Sequence, residues 1–201
     1  MAQNATPYGL KPIRRADGLP YAGAVEQYLI DPAGEATNLF TGQVVTIGAD
    51  GFIALVTTTG ADASGNIFPA GTIGVFMGCE YINAQGQLIN APYYPSGYVA
   101  PTGTQIKAFV VADPNVLFQA QMDGVIAQSA IGANTFFAAA QSTSTGNIRT
   151  GNATSAVEST TVTTTAAFRI VAVVSPIGDA FPDVLIKFNP GYHSFTNAVG
   201  I

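Results

Sequence analysis

Glycine and proline interrupt this chain so often that no long helix fits between the breaks. Twenty-two glycines and twelve prolines are spread over 201 residues; glycine opens left-handed backbone conformations and proline removes a backbone donor. What survives between them is a series of short apolar and β-branched stretches bounded by turn residues. The pattern predicts an all-β protein, a sandwich or barrel of about eight to ten short antiparallel strands.

Residues 1–22 contain Pro7, Pro12 and Pro20 with Gly9 and Gly18, and that spacing predicts an extended N-terminal arm with no regular element. The β-rich domain is expected from residue 23 to 201. Strands are predicted over 24–30, 43–47, 52–58, 71–82, 105–112, 116–122, 167–175 and 184–189. Gly48-Ala49-Asp50-Gly51 joins the second and third of these as a hairpin turn. Residues 59–70 read as a surface loop. The strand at 105–112 is apolar on both faces, which places it centrally. Between 125 and 140 the alanine spacing allows one short helix, broken at Gly132. From 141 to 165, thirteen of twenty-five residues are Ser or Thr, a composition that predicts a mobile loop or exposed edge, with 160–165 able to extend into a strand.

Only 9% of the residues are charged, against about a quarter in ordinary soluble proteins. Seven basic residues in a chain of net charge −5 argue against nucleic-acid binding, which draws its affinity from clustered cations. No run approaches a membrane span, and the N-terminus lacks the basic start and apolar run of a secretory signal.

Catalytic chemistry finds little to work with. His193 is the only histidine and Cys79 the only cysteine. A zinc site needs three or four ligands at short spacings, and the acidic residues are scattered. No metal, cofactor or catalytic residue is expected. His193 reads as a surface or packing residue, Cys79 as a buried thiol, and Asp179 and Asp183 as turn carboxylates. Two surface candidates remain. Lys11, Arg14 and Arg15 hold three of the seven basic charges within the first fifteen residues and suit docking on an acidic protein surface. Tyr93, Tyr94 and Tyr98, on a loop stiffened by Pro92 and Pro95, suit a sugar or a protein partner.

Several strings occur together: 7–14 (PYGLKPIR), 74–81 (GVFMGCEY), 112–121 (ADPNVLFQAQ), 168–171 (FRIV) and 184–189 (VLIKFN). As a set they resemble the small virion structural proteins of tailed bacteriophages, in particular the head decoration or cement proteins. The resemblance carries no active-site residue. It implies a non-enzymatic protein made in the bacterial cytoplasm that binds the outside of an assembled capsid. Its partner would be the major capsid protein, with Tyr8, Lys11, Arg14 and Arg15 at the contact, and it would act as a homo-oligomer, a trimer by the logic of local threefold sites. A tail or fibre component and a carbohydrate-binding β-module are the alternative readings.

Overall fold

The structure is a computed structural model that describes residues 4–61 and 65–200. It is all-β: among the described residues there are fifteen strands, five of them only two residues long, and no α-helix. All strand pairs are antiparallel.

The smaller of two main sheets runs in the order β1 (Lys11–Arg15), β10 (Val116–Gln121), β15 (Asp183–Phe188), β14 (Phe168–Val173), β11 (Asn134–Thr135). The larger has β2 (Glu26–Ile30), β9 (Ile106–Val111), β6 (Thr72–Ile82), β4 (Val44–Ile47) and β5 (Ile53–Leu55), with β7 (Leu88–Ala91) paired to the far half of β6. Two ribbons complete the fold, β3 (Leu39–Phe40) with β8 (Tyr93–Tyr94), and β12 (Gly146–Asn147) with β13 (Asn152–Ala153). The predicted hairpin is present. Val45, Thr46 and Ile47 face Leu55, Ala54 and Ile53, and Gly48 and Phe52 close the turn through an N–H to carbonyl bond of 2.8 Å.

Two cores follow from this arrangement. Between the sheets, Val44, Val75 and Val111 of the larger pack with Phe118, Ala120, Ile170, Val184, Ile186 and Phe188 of the smaller. Phe68, Phe137, Phe168 and Phe188 mesh there mostly edge to face, with ring centroids 5.1–6.4 Å apart. The second core, with Ile30, Val45, Ile53, Ile73, Phe76, Cys79, Tyr94, Ile106 and Val110, lies on the other face of the larger sheet. That sheet curls around it until β2 and β5 lie against each other. A strand buried on both faces reads as a near-continuous apolar run, which is why β6 and β9 were legible.

β6 serves both cores by changing phase. Its register shifts between Gly74 and Thr72 against β4, and between Phe76 and Gly78 against β9. The first bulge turns Ile73 and Val75, nominally on one face, to opposite cores, and the second brings Phe76 and Cys79, nominally on opposite faces, to the same core. Gly74 makes the first bulge with φ of 145° and its Cα packed against the Val111 carbonyl.

Three expectations need correction. Residues 11–15 are not a free arm: they form β1, which β10 pairs along its length, and Leu10 is buried. An edge strand tolerates Pro12, whose missing N–H no neighbour needs. The helix allowed at 125–140 is a single 3₁₀ turn, Gln128–Ala130, after which Gly132 donates to Ile170 and Asn134 enters β11. Sheet hydrogen bonds there outcompete a weak helical preference. The Ser/Thr-rich tract is a packed strap. Its Gln141 side chain accepts from Val44 N–H and donates to the Val44 and Val56 carbonyls, and Val157 is fully buried beneath bridges to Met122 and Phe137. The loop expected over 59–70 also has an anchor, since Phe68 inserts into the phenylalanine cluster; residues 62–64 of it lie outside the described residues.

Candidate functional site

The N-terminal segment lies on the smaller sheet, held by side chains from distant parts of the chain. Thr6 donates its N–H to Gln121 Oε1 (2.7 Å), and Gln121 Nε2 donates to the Asn4 carbonyl (3.0 Å). The Tyr8 hydroxyl donates to Asp183 Oδ1 at 2.9 Å, while Gln119 Nε2 donates to Asp183 Oδ2 at 3.1 Å. Burial, and then the hydrogen bond and charge of Asp183, hold the Tyr8 phenol well above its ordinary pKa. Tyr8 is therefore a neutral anchor of the segment, not a free contact. Beside it, Leu10, Lys11, Pro12, Thr41, Gly42, Met77 and Asn152 line an open, mainly apolar cleft of about 360 Å³.

The three cations divide. Arg15 lies 3.3 Å from Asp17 and 3.6 Å from Asp113, so its charge is met within its own domain. Lys11 and Arg14 are exposed on β1 and form no ion pair among the described residues. Those two are the exposed basic groups on this edge that no acidic side chain among the described residues meets.

The tyrosine loop is tied into the fold, with Tyr94 buried and Tyr93 and Tyr98 half-buried. Tyr94 is fully buried; its hydroxyl donates to the Tyr98 carbonyl (2.7 Å) and accepts from Glu35 N–H (3.1 Å), tying two loops together. The Tyr98 hydroxyl donates to the Ile82 carbonyl at 2.6 Å and its ring lies 4.6 Å from that of Tyr81. Tyr93 stacks on Phe40 at 5.6 Å. A sugar platform needs open ring faces, and these rings are spent on packing.

Cys79 is buried, its Sγ 3.5 Å from the Tyr93 carbonyl, and burial pushes its thiol up to about 12, so it stays protonated and unreactive. No group of three or more His, Cys, Asp or Glu suited to a metal ion occurs among the described residues. His193 takes the packing role. It is 1% exposed, its ring meets Phe188 at 5.5 Å, and Nδ1 accepts from Phe195 N–H at 3.2 Å. Burial lowers its pKa from 6.5 to about 4, against weaker opposing effects of the Ile73 backbone and Asp113.

That histidine makes stability depend on pH. Between pH 6.5 and 4 the unfolded chain binds a proton that the folded chain refuses. The contribution of neutral His193 is therefore complete above pH 6.5 and declines as pH falls towards 4, by up to about 3 kcal/mol. Thermal melts at pH 7 and pH 4.5 check this. The wild type should lose clearly more stability than His193→Asn, and equal losses would remove His193 from the account.

Gln119, Gln121 and Asp183 position the N-terminal segment, and sequence reasoning gave the two glutamines no role. Their signal was faint: polar side chains alternating within an otherwise apolar β10. Among the described residues, no helix is long and apolar enough to cross a membrane. No family model, no curated protein and no solved structure matches this chain.

Proposed function

We propose that this chain is a non-enzymatic virion structural protein that binds and stabilises an assembled phage capsid as a decoration protein, its partner the major capsid protein. The observation that carries the reading is where the resembling strings fall. Residues 7–14 lead into and form most of β1, 74–81 lie in β6, 112–121 contain β10, 168–171 lie in β14 and 184–188 of the last string in β15. The likeness therefore covers four strands of one sheet and the central strand of the other, the frame of the domain and not its loops.

The surface supports the same reading. Lys11 lines an apolar cleft and Arg14 is exposed on the same strand, and a capsid repeats one acidic or apolar patch many times, so that modest contacts multiply when the bound copies are linked. Burial of Tyr94 and the hydroxyl bonds of Tyr94 and Tyr98 count against the carbohydrate-binding alternative. Because Leu10 is in the core and β1 in the sheet, deleting the N-terminus would damage the fold; charge reversal is the cleaner test. Lys11→Glu with Arg14→Glu should leave the melting temperature within a few degrees and weaken binding to undecorated capsids by at least tenfold, read by co-sedimentation. Unchanged occupancy would remove these residues from the contact.

A further inference from the structure

We infer that β7 is the edge by which this chain pairs with a second copy of itself, strand to strand, about a two-fold axis. An open sheet edge carries unpaired N–H and C=O groups, and proteins guard such edges with proline, charge, bulges or covering chain. The smaller sheet is guarded at both ends. At β1 stand Pro12, two exposed cations and a bulge, and the chain folds back so that Arg15 N–H reaches the Leu19 carbonyl. At β11, Asn134 and Val162 exchange backbone hydrogen bonds of 2.9 Å each way. In the larger sheet β2 and β5 lie against each other.

β7 has none of these devices. It pairs with β6 on one side only, and residues 87–91 contain neither charge nor proline. Asn83 N–H donates to the Gln87 carbonyl at 2.9 Å and closes the hairpin. Counting from that bond, Ile89 and Ala91 exchange hydrogen bonds with Tyr81 and Cys79, whereas Leu88 and Asn90, opposite Ile82 and Glu80, direct theirs away from β6. Those outward groups have no backbone partner among the described residues, and the Leu88 side chain is 59% exposed.

The shape of the edge selects the occupant. Among the described residues no other strand of four or more residues has an edge free of charge, proline and covering chain, β2 carrying Glu26 and lying against β5, so β7 meets β7, and a two-fold axis across the strands makes the pair antiparallel and closed. Outward groups must meet outward groups. Leu88 then pairs with Asn90 of the partner subunit and Asn90 with Leu88 of the partner subunit, with Ile89 facing its own copy at the axis and about four backbone hydrogen bonds formed. Without a charge on the strand, nothing repels across the axis. The resulting object is a two-fold dimer, where the resemblance implies a trimer.

Sedimentation equilibrium of the full chain tests this directly. The mass should rise with concentration towards twice 20.6 kDa. Asn90→Pro removes an outward donor while leaving every bond to β6 in place, and Leu88→Lys sets two like charges diagonally across the axis. Both should stay at the single-chain mass with unchanged far-UV circular dichroism. Ile89→Cys places two thiols on directly opposed, non-hydrogen-bonded positions, a geometry that accepts a disulfide; oxidation should give a reducible dimer, whereas Gln85→Cys should not. A single-chain mass at every concentration would overturn the inference, as would a dimer or trimer that survives both Asn90→Pro and Leu88→Lys.

Discussion

Gly74→Ala is expected to cost about 4 kcal/mol or more, enough to leave a domain of ordinary stability largely unfolded. Two penalties combine. The backbone at φ of 145° is one that L side chains rarely adopt, and the added Cβ would collide with the Val111 carbonyl in the neighbouring strand. Neither atom can retreat, because Val75 and Phe76 on one strand and Val110 and Val111 on the other are fixed in opposite cores. Gly86→Ala is the matched control. Gly86 also has positive φ, 79°, but nothing lies within 4 Å of its Cβ, so it should lose only about 1 kcal/mol. Urea denaturation of the two variants separates collision from conformational preference. A Gly74→Ala midpoint no lower than that of Gly86→Ala would refute the bulge as the hinge between the cores.

Phe168→Ala should remove about 3–5 kcal/mol. Phe168 is fully buried and its ring meets Phe68, Phe137 and Phe188 with centroids 5.1–5.6 Å away. Those partners come from a loop, the segment after β11, and β15, so the cavity would open where separate pieces of chain converge and cannot easily collapse. Phe195, 62% exposed, gives the comparison: Phe195→Ala should change stability by no more than about 0.5 kcal/mol. Chemical denaturation reads both, and a loss below 1 kcal/mol for Phe168→Ala would contradict the packing described.

The long strands were legible because their cause is local. Apolar runs bounded by Gly, Pro and Asp-Gly mark β4, β5, β6, β9, β10, β14 and β15 whatever lies opposite them. What escaped depends on partners far away in sequence. β1 looked unable to form an element until β10, more than a hundred residues on, supplied its hydrogen bonds. The Ser/Thr tract looked mobile because composition does not reveal that Gln141 reaches the backbone of Val44 and Val56. Tyr94 looked like a surface group because nothing in its own loop shows that the Glu35 N–H, from a distant part of the chain, meets its hydroxyl. For the candidate contact, exposure decided the outcome: Lys11 and Arg14 keep free charges, while Tyr8 and Arg15 are engaged by Asp183 and by Asp17 and Asp113. β7 went unnoticed because four residues after a turn carry too little pattern to announce a strand.

The central claim, a capsid-binding structural role without catalysis, is tested most directly by counting copies. Quantitative mass spectrometry of virus particles purified from cells that make this chain, with heads and tails separated, gives the number per virion and its location. The account predicts hundreds of copies in the head fraction, released without disrupting the shell. A handful of copies confined to the tail, or none in the particle, would contradict it.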